Sequence, residues 1–376
     1  MAAWWGIAGA PRREPPPIEL ASAPWVKLDL HAGYGIESAP CRSGVDSIHY
    51  HVACVDSWKG RIVATATGRR SPGGPRADGA CEERGEPVYP AAFEYFAPAS
   101  LEEAVELLER FDGEAKVLAG GQSLIPAMKL RVTAPQALVD INRIGGLDTL
   151  AEESGGLRIG ALVRHKACER SELLQGRFKA LGDTAPQISD PIVRNLGTVC
   201  GSVAHADPQG DWGAALLAVG ADVVIQGPGG ERTVALDDFL EGPFATALEP
   251  TEIVTEIRVS DPGPRASGTY LKLERKIGDF ATAAVAVHVS LDNGAIGRAG
   301  IALTGVGPRN ARAKAAEQAL AGAEPTDEAI AEAGRLAAES AEPWDDHRGT
   351  AEYKRNVVRV FTERGLRTAI DAARAG

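Results

Sequence analysis

Two stretches place glycines among hydroxyl and amide side chains: LAGGQSLIPAMKLR at residues 118–131 and NLGTVCGSVAHADPQGDW at residues 195–212. Glycine carries no Cβ, so a turn built on it lets an anion approach bared backbone N–H groups, and the start of a helix adds partial positive charge. Such a turn can cradle a phosphate. In the first stretch the candidates are Ala119, Gly120, Gly121, Gln122, Ser123 and Leu124, and in the second Thr198, Cys200, Gly201 and Ser202. Each loop taken alone reads more readily as a tight turn from strand to helix. Two together are what a diphosphate linker needs. Neither loop is a G-x-G-x-x-G or a Walker loop, so neither implies a Rossmann or NTPase site. Asp211 is placed either to accept from a ribose or ribityl hydroxyl or to cap a helix.

The elements around these loops follow from local patterning. Ser100-Leu-Glu-Glu103 reads as a capping box, and Leu101, Ala104, Val105, Leu108 and Phe111 fall at helical spacing before Asp112-Gly113 stops the run. Residues 115–119 and 137–141 read as buried strands, giving a strand–helix–strand rhythm and a small parallel sheet. After residue 220 short β-branched runs separated by turn residues read as antiparallel strands. From about residue 268 a third unit begins, with strands at 283–291 and 299–304, then Ala-rich helices from Ala311 onward divided by Pro-Thr-Asp at 325–327.

A chain of 376 residues suits two or three domains. Its formal charge of −11 argues against a nucleic-acid partner, which would need clustered cations. No run is long and apolar enough to span a bilayer, and MAAWWGIAGAPRREPPP is no signal peptide, so the chain reads as cytoplasmic. Five cysteines without a C-x-x-C pair fit neither a disulfide scaffold nor a metal site within this chain. Residues 1–88, rich in Pro, Gly and Arg, read as a disordered or mis-assigned extension. His49 and His51 there are too few for a metal site, and the onset of order at VYPAAFEYF is consistent with a start at Val88. His165, His205, His288 and His347 stand outside any nucleophile or base motif and read as structural.

AGGQSLIP, DPIVRNLGT at 190–198 and RKIGDFATAAVAV at 275–287 occur in an order and spacing that resemble one family. From about Tyr89 to the C-terminal helix the chain resembles the FAD-binding medium subunit of the carbon monoxide dehydrogenase and xanthine dehydrogenase molybdenum hydroxylases. The resemblance implies an α+β fold: an FAD-binding domain of the PCMH/vanillyl-alcohol-oxidase type over 89–263, with a small parallel α/β subdomain and an antiparallel β subdomain. A C-terminal domain over 268–376 follows, with antiparallel strands and a helical bundle.

The resemblance assigns residues 119–124 and 198–202 to the FAD diphosphate and Asp211 to the sugar-like part. It places Leu248, Lys272 and Phe280 near the isoalloxazine. Cys200 stands where the family commonly has glycine, which the backbone accommodates in the β or αR region. Phe280 replaces a frequent tyrosine, keeping the aromatic wall without its hydroxyl, with altered acceptor behaviour expected. The implied partners are a small subunit with 2Fe–2S clusters and a large molybdopterin subunit, in a dimer of heterotrimers. A self-contained FAD oxidoreductase and a scaffold that has lost FAD are the competing readings.

Overall fold

The computed structural model describes residues 62–63, 89–154 and 156–375. The expectations for residues 1–88, His49 and His51 included, lie outside the described residues, apart from the backbone of 62–63. A first sheet holds β1 (Ile62–Val63) and β2 (Glu94–Phe96), then α1 (Leu101–Arg110), β3 (Ala115–Leu118), α2 (Leu124–Lys129) and β4 (Ala137–Asp140), in strand order β1-β2-β4-β3. The pairs β2–β4 and β3–β4 are parallel. Helix α1 starts as its sequence dictates: Ser100 Oγ accepts from Glu103 N–H at 3.2 Å, and the Glu103 carboxylate accepts from Ala99 N–H at 2.9 Å. It buries Ala104, Val105 and Leu108.

Strands β5 (Leu150–Glu153) and β6 (Gly156–Gly160) open a second sheet, and five helices interrupt it: α3 (His165–Arg170), α4 (Lys179–Thr184), α5 (Pro191–Leu196), α6 (Val199–His205) and α7 (Asp211–Val219). The sheet resumes with β7 (Ala221–Gly227) and β8 (Gly230–Ala235). After α8 (Leu236–Phe239) and the small pair β9 (Leu240–Gly242) and β10 (Ala245–Thr246), β11 (Ile253–Val259) inserts between β6 and β7. All its pairings are antiparallel.

The third sheet runs β12 (Ala266–Leu273), β13 (Ala283–Asp292), β14 (Ala295–Thr304) and β15 (Ala311–Arg312). Three helices follow: α9 (Lys314–Leu320), α10 (Asp327–Glu339) and α11 (Ala351–Ala375). The helical run expected from Ala311 thus begins three residues later, because Ala311 and Arg312 pair with Leu303 and Ala302. Strand β13 explains how this sheet serves two cores. Val285, Val287 and Val289 face one core with the C-terminal helices, while Ala284 and Ala286 face the other with α7. A period of two puts valines on one side and alanines on the other, and the small side lets a helix approach closely. Helix α7 is buried along its whole length, so the sheet after residue 266 holds in place the helix that ends the second glycine stretch.

Candidate functional site

The two glycine stretches meet. A Cβ on Gly120 would lie 2.5 Å from the Leu196 carbonyl oxygen and 2.7 Å from Gly197 Cα, so the first loop rests on the backbone just before the second. Gly121 adopts φ +69°, the left-handed region that glycine occupies without strain. Past it, the N–H groups of Ile125 and Ala127 donate to the carbonyls of Gly121 and Ser123. The N–H groups of Gly121, Gln122, Ser123 and Leu124 make no hydrogen bond among the described residues. Four successive main-chain donors at the end of β3 are thus left without a protein partner.

In the second loop Thr198 is the N-cap of α6, its Oγ1 accepting from Gly201 N–H at 3.1 Å. Cys200 lies inside α6, so helical backbone accommodates it where a glycine was expected. Its thiol is buried and turned to the Ile159 carbonyl 3.5 Å away, which leaves only its backbone on the loop side. Ser202 keeps a half-buried hydroxyl without a partner among the described residues.

A bracket that sequence reasoning missed joins the loops. Asn142 donates through Nδ2 to the Ala119 carbonyl at 2.8 Å, and Arg164 donates to both the Asn142 side chain and the Leu196 carbonyl. The only local signal is Asp140-Ile-Asn142 after a strand: Asp140 accepts from Asn142 N–H and turns the chain. Beneath Gly197 lies the His165 ring, whose Nε2 would be 2.7 Å from a Cβ there. The arginine of DPIVRNLGT is structural too: Arg194 donates to the carbonyls of Ile188 and Ser189 and pairs with Glu169 at 3.0 Å.

Asp211 and Lys272 do not point into the cradle as free groups. Asp211 is the first residue of α7, which Gly210 caps, so the helix-cap reading does not hold. Its carboxylate accepts from the Tyr270 hydroxyl at 2.6 Å and from Lys272 Nζ at 3.0 Å, and Lys272 also donates to the Gln187 carbonyl at 3.0 Å. The Lys272 side chain is 1 % exposed. Burial pushes the Asp211 carboxyl up against the pull of Lys272 and Tyr270. Leu248 is half-buried against the main core, whereas Phe280 is 51 % exposed on the loop between β12 and β13. There Gly278, at φ +81°, would place a Cβ 2.6 Å from the Ser189 carbonyl.

His165 and Cys168 are buried in the fold. Burial, with Arg164 and Arg194 adding, pushes His165 down to about 4, and its Nδ1 accepts from Trp212 Nε1 at 2.9 Å. The unfolded chain therefore takes this proton first. Stability should be full above about 6.5 and fall as pH drops toward about 4, by at most ~1.4 kcal/mol per pH unit for this one group. Thermal midpoints across that window should decline, and His165→Asn should make the decline shallower; an unchanged slope would remove His165 as the cause. Cys168 is buried, its thiol pushed up to about 12 by desolvation. Among the described residues no cluster could hold a metal ion, and no helix is long and apolar enough to cross a membrane.

Comparison with known proteins gives this geometry a family. Residues 91–262 match the FAD binding domain in molybdopterin dehydrogenase, and residues 268–369 match the CO dehydrogenase flavoprotein C-terminal domain. The carbon monoxide dehydrogenase medium chain of Hydrogenophaga pseudoflava is 41% identical over 282 residues, covering 75% of this chain and 98% of that one. The 6-hydroxypseudooxynicotine dehydrogenase complex subunit alpha of Paenarthrobacter nicotinovorans is 34% identical over 286 residues, covering 76% and 97%. A solved carbon monoxide dehydrogenase from Hydrogenophaga pseudoflava, lacking the Mo-pyranopterin moiety of its cofactor, superposes with a TM-score of 0.73 at 43% identity, covering 75% of this chain and 99% of that one. Two domains in family order, built around the paired glycine loops, place this chain in the medium-chain family of carbon monoxide dehydrogenase and related molybdopterin dehydrogenases.

Proposed function

We propose that this chain is the FAD-binding electron-transfer subunit of a cytoplasmic molybdenum hydroxylase. In this reading a small subunit with 2Fe–2S clusters delivers electrons, a large molybdopterin subunit oxidises the substrate, and the complex is a dimer of such heterotrimers. An FAD-binding domain over 89–263 and a C-terminal domain over 268–376 carry the role. The observation that supports it most is the cradle: four unpartnered N–H groups at 121–124, set against a second glycine loop. The N–H groups of Gly121, Gln122, Ser123 and Leu124 hold one end of the diphosphate, with Ala119 and Gly120 shaping the turn. Thr198, the backbone of Cys200, Gly201 and the Ser202 hydroxyl hold the other. Bound FAD supplies the redox step, and the protein supplies position and electrostatics.

Leu248 and Phe280 offer apolar surface to the isoalloxazine. Asp211 and Lys272, engaged with each other, stiffen the floor beside the sugar-like part. The test is direct: the purified full chain should show flavin absorption, and tagged in its host it should bring down one iron–sulfur and one molybdenum subunit. A colourless chain would refute the reading. A yellow chain that turned over a small molecule without partners would favour a self-contained oxidoreductase instead.

A further inference from the structure

The loop that carries Phe280 is gripped from two sides. Residues 274–282 join β12 to β13, closed at the base by Thr282 N–H donating to the Leu273 carbonyl at 2.7 Å. On one side Gly278 lies against the Ser189 carbonyl. On the other, Arg348 Nη2 donates to Asp279 Oδ1 at 3.0 Å, and the same oxygen accepts from Phe280 N–H at 2.8 Å. One carboxylate oxygen therefore links the guanidinium to the backbone of the aromatic residue. The Arg348 and Asp279 side chains are 12% and 18% exposed, so the pair is largely shielded from water.

Arg348 is itself fixed from behind. Its N–H donates to Asp346 Oδ1 at 2.8 Å, and Asp346 Oδ2 pairs with Lys354 Nζ at 2.8 Å. Lys354 rises from α11 with its side chain 2% exposed, and also donates to the Trp344 carbonyl at 2.9 Å. A continuous line of charge-assisted contacts thus runs Lys354, Asp346, Arg348, Asp279, Phe280, from the last helix to the loop tip. Contacts of this kind are stronger and more directional than neutral ones. Nothing comparable holds Ile277, which is 97% exposed at the same tip. The charged line ends at the Phe280 backbone.

We propose that Arg348 is a positioning residue for the flavin site: it clasps Asp279 so that Phe280 keeps a fixed place beside the isoalloxazine. This rests on the FAD reading above. The C-terminal turn at 345–349 thereby takes part in the electron-transfer site without touching the cofactor, and it acts through the loop alone.

The test uses the full chain with FAD. Arg275 and Lys276 are exposed on the clasped loop, so trypsin cleavage after them, read by fragment mass, reports loop opening. Arg348→Ala should speed that cleavage by about tenfold, the effect of losing a fixed charge-assisted contact on a local opening equilibrium. The visible circular dichroism of bound FAD should change with it. Arg348→Gln, which keeps the stem and a donor but drops the charge, should do the same if the alanine variant folds poorly, and Arg348→Lys should restore both readouts. Wild-type cleavage rates in both neutral variants would overturn the clasp, and faster cleavage with unchanged flavin dichroism would overturn the positioning role. A wild-type chain without flavin would refute the FAD reading itself, a result separate from either.

Discussion

Gly120→Ala should leave a folded protein that purifies without its flavin. The new methyl carbon would sit 2.5 Å from the Leu196 carbonyl oxygen and 2.7 Å from Gly197 Cα, and both are backbone atoms that cannot swing aside. Overpacking of this kind costs ~1–3 kcal/mol, and the relief available is for the two loops to part. Because a diphosphate must touch both loops, parting them weakens every contact at once, and FAD affinity should drop by about 100-fold. Gly121→Val works differently. Its φ of +69° strains any β-branched residue, but the nearest atoms are the side-chain tips of Ile125 and Leu118, which can move. The flavin-to-protein ratio after dialysis against dilute FAD decides both cases. If Gly120→Ala keeps full occupancy, the contact between the loops is not what holds the cofactor.

The parts of this site that could be read from sequence are those set by near neighbours. The capping box at Ser100, the glycines at 120 and 121 and the strand expected at 283–291 each follow from a local pattern, and the structure forms them. The strand–helix–strand start and the antiparallel runs after residue 220 follow from the same kind of pattern. What could not be read depends on partners far along the chain. Asp211 and Lys272 stand 61 residues apart, and nothing near either one reveals that they neutralise each other. Arg164 ties Asn142 to Leu196 across three separate segments, and Arg348 reaches back 69 residues to Asp279. Cys200 shows the converse. Its type raised a question about the loop that the helical backbone answers, since a cysteine takes the right-handed helical conformation at the second position of α6 without strain.

The buried Asp211–Lys272 pair sets up the largest stability effect. Lys272→Met keeps the length and apolar stem of the side chain but removes the cation that faces Asp211 at 3.0 Å. The carboxylate is then buried with the Tyr270 hydroxyl and with Glu274, which also loses its contact to Lys272 at 3.5 Å, and breaking such a pair from one side costs ~3–5 kcal/mol. The pH dependence follows from the direction of the Asp211 shift, which burial already drives upward while Lys272 holds it back. Without Lys272 that shift grows. A carboxyl raised above its unfolded value gives stability that is present at low pH and lost as pH rises through the folded-state value. The variant should therefore fall furthest behind the wild type at alkaline pH and recover toward it in acid, as the carboxyl accepts its proton. Adding Asp211→Asn should restore much of the loss, because the uncompensated charge is gone and the amide can still accept from Tyr270. Denaturant unfolding of both variants across pH reads these effects. A deficit independent of pH, or a double variant weaker than Lys272→Met alone, would mean that Lys272 acts through its contacts to the Gln187 carbonyl and Glu274 and not through Asp211.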